Sequence, residues 1–138
     1  MIVALGGLAG CGGDPPLEGV PLPDDAQVDM VRRECVENDG PTCFRGALIV
    51  PAEDAKATTS EALIERTYAA MSSDGWRTIT STPGEVVGAT SEDTRMAFVG
   101  NRPPPVSGWS DDLTRRFREL RREGVPVATV LVTPPHVE

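Results

Sequence analysis

Hydrophobic positions follow two spacings along this chain, and each spacing predicts a different kind of element. The uninterrupted apolar run Ala47–Val50 stops at Pro51, so we predict a buried strand over Phe44–Val50. Farther along, apolar side chains recur every three or four residues, which predicts a helix with one buried face. The positions on that face are Leu63, Ile64, Thr67, Tyr68, Ala70 and Met71.

Capping residues mark the ends of this helix and of a second one. Thr58 and Glu61 form a capping box, and Gly75 ends the first helix as a residue suited to a left-handed conformation. Ser110 begins the second helix, where two following aspartates favour the positive end of the helix dipole. An apolar stripe and a final glycine complete it: Leu113, Phe117, Leu120 and Gly124.

Shorter segments with strand-like composition surround the two helices: Trp76–Thr82, Glu85–Thr90, Thr94–Val99 and Val125–Val132. The second and third of these form a hairpin. From Phe44 onward the predicted order is strand, helix, strand, strand, helix, strand, which matches the ferredoxin-like βαββαβ pattern. We therefore expect an α+β two-layer sandwich, with an antiparallel sheet and both helices on one face.

Residues 28–36 fit both a strand and a helical face, and we favour a strand that turns at Asn38–Pro41. This segment conflicts with the ferredoxin-like order, in which the strand at 44–50 is central and has no free edge for another partner. Either residues 28–36 do not pair there, or the sheet has a different antiparallel order.

The composition is that of a globular domain, with 39% apolar residues among 138. The length fits one domain plus a tail. The net charge of −8 argues against a nucleic-acid partner, because phosphates require a basic surface. No apolar run approaches the roughly 20 residues that a membrane-spanning helix needs.

A four-residue motif near the start, Leu8-Ala9-Gly10-Cys11, follows an apolar run and precedes a stretch rich in Gly and Pro. It resembles the lipobox of bacterial lipoprotein signal peptides at every position. The resemblance implies that residues 1–10 are removed and that Cys11 becomes a lipidated first residue. It covers only the start of the chain and implies nothing about the chemistry of the rest.

On this interpretation the chain has three parts: a signal peptide at 1–10, a lipidated cysteine with a flexible tether at 11–27, and one α+β domain at 28–138. The tether is rich in Pro, Gly and Asp, so we expect it to bury no core. No Lys or Arg precedes Cys11, whereas signal peptides begin with a basic region. We therefore expect the natural start to lie upstream. The alternative is a Gly-rich leader on a cytoplasmic protein.

Setting Cys11 aside leaves Cys35 and Cys43 as a pair, with a strong turn signal between them. Outside the cytoplasm such a pair oxidises, so we predict a disulfide. A zinc site needs four ligands, usually with closer cysteine spacing, and the single histidine, His136, lies near the far end. We therefore predict no metal and no cofactor.

The second helix is rich in arginine, which suggests a site for an anion or a lipid headgroup. The arginines are Arg115, Arg116, Arg118, Arg121 and Arg122. Four acidic residues share the helix, and Glu119 is spaced to pair with Arg115 and Arg122. We therefore favour a solvated face of compensated charges over an anion site.

The sequence contains no recognisable catalytic constellation. His136 follows two prolines near the terminus, where it lacks the fixed geometry that proton transfer needs. No Gly-x-Ser-x-Gly elbow occurs. Trp76 and Trp109 flank helix ends, and we expect them to fill the rim of the core rather than form an exposed binding pair. We expect a protein that is not an enzyme.

Three functions follow from these observations. The first is a lipid-anchored protein outside the cytoplasm, whose non-catalytic domain contacts another component of the cell envelope. The second is an envelope domain that binds a small molecule in a groove between sheet and helices. The third is a soluble cytoplasmic protein, which free thiols at Cys35 and Cys43 would favour.

Overall fold

The computed structural model describes residues 20–37, 40–53, 59–82, 85–89 and 96–133. These residues form one six-stranded antiparallel sheet and two helices. The elements are β1 (Ala26–Glu37), β2 (Pro41–Pro51), α1 (Ser60–Ser73), β3 (Arg77–Thr82), β4 (Glu85–Ala89), β5 (Met96–Gly100), α2 (Asp111–Arg122) and β6 (Ala128–Val132). The predicted α+β class, with an antiparallel sheet and two helices, is confirmed.

The strand order across the sheet is β1-β2-β6-β5-β4-β3, and every neighbouring pair is antiparallel. The last strand, β6, enters the middle of the sheet, and all five of its residues are buried. The ferredoxin-like order is not confirmed, because β2 pairs with β1 on one side and with β6 on the other. In addition, three strands lie between the two helices, whereas the ferredoxin-like order has two. Residues 28–36 do form a strand, so a different antiparallel order resolves the conflict seen in the sequence.

The two helices lie on opposite faces of this sheet. Successive side chains of a strand point to opposite faces, and in β2 Ala47 and Ile49 pack in the core that contains α1. Leu48 and Val50 pack in the core that contains α2. The expectation that both helices cover one face is therefore wrong, and the sheet is the middle layer of three.

Local signals correctly predict α1, with one shift at its start. Thr59 is the N-cap, and its Oγ1 accepts a hydrogen bond from the Ala62 N–H at 3.0 Å. The predicted capping residue, Thr58, lies outside the described residues. Gly75 follows the helix with φ of 96°, a left-handed conformation that glycine adopts without strain, as predicted.

The second helix follows its predicted pattern closely. The Ser110 side chain accepts a hydrogen bond from the Asp112 N–H at 3.2 Å and caps the helix. The buried residues of α2 are the predicted stripe: Leu113, Phe117 and Leu120. Gly124 follows with φ of 79°. The apolar stripe and both caps thus agree on one helix that packs a single face against the sheet.

The packed domain begins earlier than residue 28. Val20 is buried in the α1-side core, and Leu22 and Ala26 pack against it. Arg66 of α1 also donates a hydrogen bond to the Asp25 carboxylate at 3.0 Å. The expectation that the tether 11–27 buries no core is therefore wrong for its last part, because three apolar residues among its prolines and acids dock on the sheet.

Candidate functional site

The predicted disulfide joins the two strands of the first hairpin. Cys35 of β1 and Cys43 of β2 are directly opposite in the ladder, and their Sγ atoms are bonded at 2.05 Å. The register of the β1–β2 ladder fixes this contact, because it pairs Cys35 with Cys43. The predicted lipidation site, Cys11, lies outside the described residues, as does His136.

The disulfide lies at a solvent-facing corner of the sheet. β1 is an edge strand, and Cys35 is exposed while Cys43 is half-buried. The Arg33 guanidinium donates a hydrogen bond to Cys43 Sγ, with Nη2 3.4 Å from the sulfur. Arg33 is also opposite Arg45 in the ladder, so two arginines occupy the ladder position next to the disulfide, on the same face of the sheet.

A β-bulge in β1 creates the main contact between this strand and α2. The register shifts between Val28 and Met30, which leaves Asp29 without a ladder partner and turns its side chain toward the helix. Arg116 donates two hydrogen bonds to the Asp29 carboxylate, one from Nε at 2.8 Å and one from Nη2 at 3.0 Å. Hydrogen bonds to Asp29, and then to Glu119, raise the pKa of Arg116 above its ordinary value.

Two of the five arginines of α2, Arg115 and Arg116, are paired with acids in the described residues, although their partners differ from the expected ones. Glu119 accepts a hydrogen bond from Arg116 at 3.1 Å, whereas we expected Arg115 and Arg122 as its partners. Arg115 pairs instead with Asp112 at 3.2 Å, and Arg32 of β1 approaches the same carboxylate at 3.4 Å. The sequence reasoning missed both contacts from β1 because they depend on the packing of the helix.

These side chains line an open cleft of about 330 Å³ between β1 and α2. Its lining consists of Met30, Arg32, Asp112, Arg115, Arg116 and Glu119. The arginines there already hold carboxylates, so an anion would have to displace existing ion pairs. The arrangement favours a compensated, solvated face over an anion site.

A second open cleft, of about 310 Å³, lies where the start of α1 meets the end of α2. Its lining consists of Thr59, Ser60, Glu61, Asn101, Arg121, Gly124, Val125 and Pro126. Small-molecule sites are typically concave and mostly apolar, with a few polar groups. Neither cleft has such a lining, so neither supports the small-molecule hypothesis.

Both tryptophans are core residues, as predicted. Trp76 is buried in the α1-side core and Trp109 in the α2-side core. The Trp109 indole N–H donates a hydrogen bond to Thr114 Oγ1 at 3.0 Å, so its polar atom is satisfied. The two rings therefore do not form an exposed binding pair.

Two large apolar side chains are exposed among the described residues: Phe98 at 37% and Val106 at 50%. Phe98 is the ladder partner of Leu131, which packs on the α2 side, so Phe98 faces the same side of the sheet. Val106 belongs to the connection that leads from β5 to α2 and reaches Trp109 on that side. Phe98 therefore lies on the α2 side of the sheet, on a strand outside the main contacts of that helix, which are with β1 and β2.

In the part of the chain that the structure describes, no group of three or more His, Cys, Asp or Glu side chains is placed to hold a metal ion. Among the same residues, no helix has the length and apolar character needed to cross a membrane.

No protein-family model matches this chain, and no curated protein or solved structure is significantly similar to it.

Proposed function

We propose that this chain is an exported lipoprotein, anchored to a membrane through Cys11, whose folded domain contacts another protein of the cell envelope and catalyses no reaction. The disulfide between Cys35 and Cys43 carries this proposal. Disulfides persist in oxidising compartments and are rare in the cytoplasm. The Leu8–Cys11 motif supplies the independent support from sequence.

The geometry of the anchor fits a domain held close to a membrane. Eight residues separate Cys11 from Val20, the first described residue of the packed domain. At roughly 3.4 Å per residue, a fully extended segment of this length spans at most about 30 Å. The domain therefore stays within about 30 Å of the lipid anchor, and a partner would have to bind it near the membrane surface.

The surface around Phe98 supports a protein partner over a small molecule. Exposed aromatic side chains are enriched at protein contacts, where they supply large buried area. Phe98 is exposed and lines neither of the two clefts described above, so a broad partner surface fits it better than a small ligand.

Intact-mass analysis of the native protein tests the anchor. We expect a product that begins at Cys11, carries a lipid adduct and gains two protons on reduction. A Cys11→Ser variant should lose the lipid adduct and should no longer be found in the membrane fraction. A Cys35→Ser/Cys43→Ser variant should keep the lipid adduct and stay in the membrane fraction. A native product that retains residues 1–10 with an unmodified Cys11 thiol would refute the proposal. Free thiols at Cys35 and Cys43 would favour the cytoplasmic alternative.

Site-specific photo-crosslinking in intact cells tests the contact surface. A photoreactive amino acid at Phe98 should form an adduct with one exported protein, and the adduct should disappear in the Cys11→Ser background. The matched control is Glu65, which is exposed on α1 on the opposite side of the sheet. Equal adducts from both positions, or none from Phe98, would count against this surface.

A further inference from the structure

We infer that the Cys35–Cys43 disulfide is a site of thiol–disulfide exchange, at which a low-molecular-weight thiol attacks Cys35 and Cys43 departs as the thiolate. This goes beyond a structural cross-link between two strands. It is independent of the lipid anchor, because it concerns only the chemistry of the folded hairpin.

Accessibility favours attack at Cys35. An incoming thiolate must approach one sulfur along the line of the S–S bond, so the more exposed sulfur is attacked first. Cys35 lies on the edge strand and is exposed, whereas Cys43 lies on β2 and is half-buried. Both residues are on the surface of the sheet, so attack requires no opening of the core.

Charge favours departure of Cys43. A nearby guanidinium stabilises a thiolate and lowers the pKa of its thiol, and a thiol with a lower pKa is the better leaving group. Arg33 Nη2 already lies 3.4 Å from Cys43 Sγ, where it can hold the negative charge as the S–S bond breaks. Arg45, opposite Arg33 in the ladder, adds a second positive charge beside the departing sulfur.

One acidic residue near the disulfide, Glu37, should repel an approaching thiolate. Glu37 is two residues beyond Cys35 on β1, so it lies on the same face of the strand, on the side away from Arg33. Its charge repels an approaching thiolate but is farther from Cys43 along the ladder. We therefore expect Glu37 to slow the approach and Arg33 to assist the departure, and separate variants can distinguish the two effects.

The exchange balances in two steps. A thiolate RS⁻ bonds to Cys35 Sγ as the Cys35–Cys43 bond breaks, which yields a Cys35–S–SR mixed disulfide and a Cys43 thiolate. A second RS⁻ then attacks the RS sulfur of the mixed disulfide, which releases RSSR and a Cys35 thiolate. Two thiols are oxidised and the protein pair gains two electrons. The Cys43 thiolate can also attack Cys35 Sγ again and expel RS⁻, so the adduct on Cys35 is transient and has to be trapped by rapid acid quenching.

Reduced glutathione is the probe for this inference. The full chain in a Cys11→Ser background, which removes the third thiol, is treated with excess glutathione and sampled by acid quenching. Peptide mass analysis should locate the adduct on Cys35. The rate constant should be insensitive to urea well below the unfolding midpoint, because Cys35 is already an exposed residue in the folded state.

Arg33→Gln should lower this rate constant severalfold, because the departing Cys43 thiolate loses the guanidinium that lies 3.4 Å from its sulfur. The matched control is Arg32→Gln, which removes the same charge from the next residue, on the opposite face of β1. Arg33→Lys should recover most of the rate, and Glu37→Gln should raise it. Circular dichroism establishes that each variant is folded.

Three results would each overturn the inference. One is a glutathione adduct that forms on Cys43. Another is a rate constant lowered equally by Arg32→Gln and Arg33→Gln. The third is exchange that occurs only at the rate of global unfolding.

Discussion

Gly46 offers a direct test of the three-layer arrangement, because it lies on β2 directly beneath α2. A Cβ atom at this position would lie 2.7 Å from Leu113 Cδ1 and 2.9 Å from Trp109 Cζ3. Real Cβ atoms essentially never approach heavy atoms below 3.0 Å, so Gly46→Ala forces the Leu113 side chain, the Trp109 ring or α2 itself to move. The next residue, Ala47, is fully buried on the other face, so β2 cannot yield in that direction.

Overpacking of this kind costs about 1–3 kcal/mol. Replacing glycine in an extended strand also restricts the unfolded chain, which returns about 0.4–1 kcal/mol. We therefore expect Gly46→Ala to lower the free energy of unfolding by about 1–2 kcal/mol. A domain of this size should then lose roughly 3–10 °C in Tm. Urea denaturation followed by tryptophan fluorescence measures the change.

A double-mutant cycle with Leu113→Ala identifies the cause. Truncating Leu113 removes the atom that the new Cβ meets first, so Gly46→Ala should cost less in that background than in the parent chain. Coupling between contacting residues is about 0.5–3 kcal/mol. If Gly46→Ala leaves stability unchanged, or if the two changes are additive, Gly46 does not face α2 and the assignment of the helices to opposite faces fails.

Three further predictions concern the hairpin, the helix start and the bulge. Cys35→Ser/Cys43→Ser should lower the free energy of unfolding by about 2.5 kcal/mol on the chain-entropy model for a separation of 8; a loss seen equally in reduced parent protein confirms that the bond is responsible. Thr59→Ala should cost about 1 kcal/mol by urea denaturation, while Thr59→Ser should cost little; equal costs would exclude a capping role. Asp29→Asn should lower Tm, and adding Arg116→Gln should lower it little further; additive losses would show that the two side chains act separately.

Much of the local structure follows from short stretches of sequence. The caps at Ser110 and Gly124, and the stripe between them, depend on contacts within a turn or two of one helix, so their spacing alone predicts α2. The same holds for the Cys35–Cys43 pair, since a turn signal between two strand-like segments brings the cysteines level.

The candidate site shows where such local reasoning stops. Asp29 meets Arg116 only because a bulge in β1 turns one carboxylate toward a helix 87 residues away along the chain. The contact between Arg33 and Cys43 could have been anticipated only weakly from the sequence. Side chains alternate along a strand, so residues 33 and 35 share one face. That signal has meaning only after residues 28–36 are known to be a strand.

The strand order and the layering were decided by the tertiary structure. The unbroken apolar run Ala47–Val50 carries a clue, because a strand that is apolar at every position is buried on both faces, which two helices on one face would not provide. However, nothing within a few residues of the run specifies which helix covers which face, or that Ala128–Val132 enters between β2 and β5. Those choices depend on all the elements burying their apolar surfaces together, and the free energy of that burial is shared among residues far apart in the chain.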